Sequence, residues 1–170
     1  MEKTIFLFDE AKGVSKDFLG GKGANLAQMR TLGLPVPNGL IITSTACNYY
    51  YEEGEKFLKE LKSELLKKIE KLSKKEEKYF DDEEKPLLLA IRSGSRVSMP
   101  GMMDTILNLG INDKVAEILG KKTNNLKFAY DSYRRFIQMY GEVVKGVDKS
   151  LFDKILQEEK TRENVEDDSL

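Results

Sequence analysis

Two spacings organise the apolar positions of this chain, a period of two in short runs and a period near 3.6 in longer ones. Thr4 to Phe8 joins β-branched and aromatic residues and predicts a first strand, after which the polar residues 9–17 predict a turn. Between Lys22 and Leu32, the residues Leu26, Met29 and Leu32 recur at helical steps and predict a helix with those three on one face. Gly33 stands where a left-handed helix end is expected, and Pro35 and Pro37 prevent continuation. Gly39 to Thr43 predicts a second strand, and Ser44 or Thr45 the cap of a short helix through Tyr49, Tyr50 and Tyr51.

From Glu55 to Lys78 the chain is dense in Lys and Glu, yet Leu58, Leu61, Leu65, Ile69 and Leu72 return every three or four residues. That pattern predicts an amphipathic helix whose charges form a solvated face, with a partner-binding helix as the alternative. Residues 81–86 predict a turn into Leu87–Ile91, which reads as a buried strand, and Ile106 to Leu109 is a further short apolar segment. Asn112 is placed to cap a helix through Leu119, closed by Gly120. A longer helix follows from Asn125 to Tyr140, with Leu126, Tyr130, Tyr133, Ile137 and Tyr140 along one side, read as core rather than as a stacking platform. Ser150 to Glu159 predicts a last helix, and the acidic end from Glu163 to Leu170, without apolar periodicity, predicts fraying. Strands come early and helices late. The fold class expected is α+β, a mixed α/β sheet over residues 1–111 followed by a helical subdomain over 112–170.

Composition narrows the function classes. At 170 residues, 40% hydrophobic and 34% charged with a net charge of -1, the chain is expected to fold as a globular domain with no electrostatic footprint for nucleic acid. No signal-peptide-like or membrane-spanning apolar run is present, which makes the cytoplasm the expected location. Cys47 is the one cysteine, so no internal disulfide framework can form; beside bulky aromatics and without a cationic neighbour it reads as a packed thiol. Histidine is absent, which removes His-based acid–base catalysis, Ser–His–Asp machinery and the usual zinc sites.

Two segments carry candidate chemistry. Residues 92–105, Arg-Ser-Gly-Ser-Arg-Val-Ser-Met-Pro-Gly-Met-Met-Asp-Thr, place two arginines, three serines and two glycines directly after a predicted strand. Glycine allows backbone N–H groups to approach an anion and arginine offers a planar fork that fits phosphate. Ion pairing of Arg92 and Arg96 with neighbouring carboxylates is the competing reading. Asp104 could orient an arginine or contact magnesium, whereas the acidic run at residues 81–84 reads as solvated. The second segment, Leu19-Gly20-Gly21-Lys22-Gly23-Ala24-Asn25, opens the first predicted helix, where unpaired N–H groups favour an anion and Lys22 adds a full charge. Its glycine spacing is not that of a Walker A loop, and a tight turn with an exposed lysine is the plain alternative. Convergence of both segments on a polyphosphate is the natural joint hypothesis.

Together with Gly33-Leu34-Pro35-Val36-Pro37-Asn38-Gly39 and with residues 128–140, Phe-Ala-Tyr-Asp-Ser-Tyr-Arg-Arg-Phe-Ile-Gln-Met-Tyr, these segments closely resemble the N-terminal nucleotide-binding region of the pyruvate, phosphate dikinases. The likeness runs from Thr4 to about Val147. The related phosphoenolpyruvate synthases share the lysine turn but have a different, acidic sequence after the arginine–serine pair. The resemblance implies an ATP-grasp-type subdomain and a reaction converting ATP, phosphate and pyruvate to AMP, diphosphate and phosphoenolpyruvate. Transfer would pass through a phosphohistidine on a separate domain, with pyruvate bound by a C-terminal barrel.

By position, Lys22 and Arg92 match the family's ATP-phosphate contacts, Arg92 as the catalytic one. Ser93, Gly101, Met103 and Asp104 are implied as lining of the ATP site. Magnesium would be held by acidic residues beyond residue 170, and the full-length enzyme is expected to be a homo-oligomer. Since the carrier and barrel domains are not in these 170 residues, the chain reads as an N-terminal fragment or split product, inactive by itself. The alternatives are a free-standing, non-catalytic nucleotide- or partner-binding module, and a relative acting on another acceptor such as a glucan or a drug.

Overall fold

The computed structural model describes residues 3–94 and 104–165. Packing divides the chain into two compact units, one reaching to Glu77 and the other built from Lys78 to Ser93 and from Asp104 onward. In the first, β1 (Ile5–Leu7) pairs antiparallel with β2 (Leu40–Ile42) in the register Ile5 to Ile42, Phe6 to Ile41 and Leu7 to Leu40. A 3-10 turn, Phe8–Ala11, and helices α1 (Lys16–Leu19) and α2 (Gly21–Thr31) lie between these strands; α3 (Ser44–Glu53) and α4 (Glu55–Glu76) follow them. Alternation along β1 sends neighbouring side chains to opposite faces, and both Ile5 and Phe6 are buried. The Phe6 side joins Phe8, Ala11, Leu19, Ala27 and Ile41 in one apolar cluster, while α4 packs against β1.

Helix α2 departs from the expected face. Ala27 is its buried residue and Met29 and Leu32 are exposed. The reason is close packing: a Cβ on Gly23 would lie 3.0 Å from Ile41 Cγ2, so small residues take the closest approach to β2, with Leu26 half-buried against the core and Met29 and Leu32 turned outward. The turn predicted over residues 9–17 contains the 3-10 turn and the start of α1. Cys47 is exposed, correcting its reading as a packed thiol. On α4 the buried positions are Phe57, Lys68, Leu72 and Ser73, with Leu61 and Leu65 half-buried and Leu58 exposed, so a lysine expected on the solvated face sits inside the stripe.

In the second unit β3 (Leu89–Arg92) pairs antiparallel with β4 (Thr105–Leu109). Leu89 lies opposite Leu109 and Ile91 opposite Ile106, so β4 carries one extra residue there, and Asn108 takes a left-handed φ of 59°. This is a β-bulge. Two separate antiparallel pairs thus stand, among the described residues, where a single mixed sheet was expected. Nor is the run at residues 87–91 a buried strand: Leu87 is buried, but Ala90 and Ile91 are exposed.

Helices α5 (Asp113–Thr123), α6 (Leu126–Lys145) and α7 (Lys149–Glu163) complete this unit. Asn112 caps α5 as expected, its side chain accepting from the Val115 N–H at 2.9 Å, and Asn125 caps α6 through the Phe128 N–H at 2.9 Å. Helix α5 passes through Gly120 instead of ending there and closes at Asn124, whose φ is 51°. Gly120 is a contact residue, since a Cβ on it would meet Leu126 Cδ2 at 2.6 Å. Ile111, Val115 and Ala116 form the core with Tyr133 and Phe136. On α6 the buried line is Ala129, Ser132 and Gly141; Leu126, Tyr130 and Ile137, expected in the core, are exposed.

Candidate functional site

The lysine turn is shaped by its glycines. Gly20 has φ 74° and ψ 156°, a conformation that side chains resist, and it turns the chain from α1 into α2, whose Ala24 N–H returns to the Gly20 carbonyl at 3.0 Å. Gly23 permits the approach to Ile41 described above. Backbone conformation and packing account for both, and Lys22, the candidate residue of this turn, lies in the first turn of α2. Its turn follows a short helix, α1. A helix N-terminus with no side-chain cap presents N–H groups together with that ammonium, a combination suited to phosphate oxygens.

The arginine segment begins where β3 ends. Arg92 pairs with Thr105 across the strands. The next residue, Ser93, donates twice to one acceptor: its N–H and its Oγ each lie 3.1 Å from the Asp104 carbonyl oxygen. These bonds tie the end of β3 to the residue that precedes β4. Arg92, Ser93 and Asp104 are thereby brought together, with the Asp104 backbone, not its carboxylate, making the tie. Gly101 and Met103 lie outside the described residues, as does Arg96. Lys22 belongs to the first unit and Arg92, Ser93 and Asp104 to the second. Among the described residues no three carboxylate, thiol or imidazole groups gather into a metal-binding cluster, and no helix is long and apolar enough to cross a membrane.

A charged node in the first unit went unread in the sequence. Glu10 Oε2 accepts from Lys68 Nζ at 2.5 Å, from Lys3 Nζ at 3.0 Å and from the Leu7 N–H at 3.1 Å. Burial alone would raise the Glu10 pKa, but the hydrogen bonds from Lys68, Lys3 and Leu7 outweigh it and hold the carboxyl at about 2. Beside it Asp9 is held below its usual range by hydrogen bonds from Lys75 and Arg30. A signal for this was present: Lys68 stands on the apolar line of Leu61, Leu65 and Leu72. The acidic run at residues 81–84 is likewise more than solvated surface. Asp82 Oδ1 accepts the Glu84 and Lys85 N–H groups, Glu83 pairs with Lys114 at 2.6 Å, and Asp81 accepts from the Asn112 side chain.

Residues 16–79 match the family described as pyruvate phosphate dikinase, AMP/ATP-binding domain. The chain is 48% identical over 169 residues to pyruvate, phosphate dikinase of Clostridium symbiosum, a match covering 99% of this chain and 19% of that protein. It is 49% identical over 173 residues to the Rhizobium meliloti protein of the same name, covering 99% of this chain and 19% of that protein. For the Entamoeba histolytica protein the identity is 46% over 167 residues, with 98% and 19% covered. The chain spans about a fifth of the length of these curated relatives. The resemblance expected from the sequence is thus shown.

Proposed function

We propose that this chain, similar over nearly its whole length to pyruvate, phosphate dikinases, contributes part of an ATP site from which a phosphoryl group passes to a carrier histidine elsewhere. The near-complete match to part of those enzymes carries this reading. Lys22, at the start of α2, binds polyphosphate oxygens as a compact charge. Arg92, at the end of β3, meets the transferred group with its planar fork and neutralises charge as it moves between oxygen and nitrogen. Ser93 and Asp104 set the strand ends from which Arg92 projects, and Gly101 and Met103 complete the lining. The residues would form part of an ATP-grasp arrangement, in a cytoplasmic, oligomeric enzyme. Among the described residues no three carboxylates gather, and a magnesium ion serving this site would take its ligands from other segments.

The absence of histidine supports a division of labour, since this chain can help release a phosphoryl group but cannot receive it on imidazole. Exposed apolar residues support it too. On α6, Leu126, Tyr130, Ile137 and Val144 lie at steps that keep them on one line, and on α7 Leu151 and Ile155 are also bare. Such a ridge suits cover by further polypeptide better than a free-standing module.

The test joins this chain to the downstream four-fifths of the Clostridium symbiosum relative and follows transfer of label from radioactive ATP to the carrier histidine. Labelling is expected. Arg92→Ala should slow it by about 10²–10³-fold, the usual cost of removing one preorganised charge-stabilising donor, while leaving labelling from phosphoenolpyruvate intact. Normal ATP labelling in that variant would remove Arg92 from the mechanism. Specific nucleotide or protein binding by the chain alone, without labelling in the chimera, would favour the non-catalytic module.

A further inference from the structure

The first unit holds an open cleft of about 290 Å³ between the segment that follows the 3-10 turn and one side of α2. Helical spacing puts four of its α2 lining residues, 24, 27, 28 and 31, on the side of the helix away from Lys22, with Asn25 at the edge nearer to it. The cleft is therefore separate from the polyphosphate contact proposed above. Its floor is apolar and made of short side chains: Ala11 and Ala27 are buried, as is Leu19 beside them. Alanine at two floor positions and glycine at residue 13 leave a space that larger side chains would fill.

The rim has the opposite character. Lys12 and Lys16 border it from one side and Asn25 and Gln28 from α2. None of these four side chains makes a hydrogen bond or ion pair with another described residue. Thr31 Oγ1 donates to the Ala27 carbonyl at 3.0 Å, so its hydroxyl proton is committed within the helix. None of the lining residues carries a carboxylate. Two ammonium groups and two amide NH₂ groups surround an apolar floor with no acidic counterpart, and donors in that arrangement select an anion with an apolar body.

We propose that this cleft is a second binding site, for a small organic carboxylate whose apolar part lies on Ala11, Leu19 and Ala27 and whose charge meets Lys12 and Lys16. The volume lies near the lower end of small-molecule sites, about 300 Å³, so the ligand is compact. The open mouth leaves the charge partly hydrated, and affinity is expected on the order of a millimolar.

Benzoate serves as probe, with benzamide as its neutral counterpart and inorganic phosphate as charge without an apolar body. Titration of the isotopically labelled chain should give saturable benzoate-dependent shifts at the amides of Gly13, Lys16, Ala24 and Gln28. Benzamide and phosphate should give much smaller ones. Replacing both lysines, Lys12→Gln with Lys16→Gln, should weaken benzoate about tenfold, as expected for two partly screened charge contacts; both side chains are exposed, so an unchanged amide spectrum elsewhere confirms the fold. Lys22→Gln should leave the benzoate shifts as they are, which separates this site from the ATP reading. Absence of saturation at tens of millimolar, equal response to benzamide, or an unaltered response in the double variant overturns the proposal.

Discussion

Glu10 shows how one carboxylate can organise a unit. Its partners come from the N-terminal strand region and from α4, and Lys68 has only 8% of its surface exposed. Removing one partner of such a pair strands the other's charge. Lys68→Met is expected to cost about 2–3 kcal/mol in urea unfolding, discounted from the fully buried case because Glu10 is partly exposed. Combining it with Glu10→Gln should restore most of that loss. The same node sets an acid limit. The folded-state carboxyl titrates at about 2 against an ordinary 4.5, so its stabilisation is complete above about pH 4.5 and fades as pH falls toward 2. In an acid unfolding series Glu10→Gln should flatten the decline over that window; an unchanged profile would mean that other carboxylates set it. Cys47, being exposed, should react stoichiometrically with a thiol reagent in the folded chain, without prior unfolding.

Among the elements, turn chemistry decides most. Gly110 has φ 108°, and a Cβ there would lie 2.5 Å from the Leu87 carbonyl oxygen, a backbone atom that cannot turn aside. Gly110→Ala should therefore destabilise the chain by about 2–4 kcal/mol, against about 1 kcal/mol for loss of the α5 cap in Asn112→Ala. A reversed order in thermal unfolding would contradict this account. The existence and type of the elements were largely legible: Gly33, the cap at Asn112 and the spacing along α4 each act through local chemistry that sequence displays. Helix ends were less so, because α5 continues past a glycine that serves packing and α6 runs on beyond Tyr140 to Lys145. Faces were read least well. Met29 and Leu32 have the hydrophobicity for a core, but the close approach at Gly23 gives the buried place to Ala27, with Leu26 only partly covered, a three-dimensional constraint that periodicity does not express. For the candidate site, Lys22 and Arg92 were visible as charged residues beside glycines. The double donation from Ser93 to a backbone carbonyl was not, since it depends on strand pairing.

For the whole molecule, the apolar line on α6 and α7 has the larger consequence. Replacing Ile137 and Ile155 together with lysine should reduce concentration-dependent association in sedimentation experiments while changing the unfolding midpoint little, because both side chains are already about half exposed. A large loss of stability in that variant would show that the line is internal cover instead. The β3–β4 pair bears on a different matter, how freely the arginine segment can vary. Its register is fixed by the bulge at Asn108 and closed by Ser93 on Asp104, so neither determinant lies within residues 94–103. Substitutions within residues 95–103 are therefore expected to leave the alignment of the strands that present Arg92 unchanged.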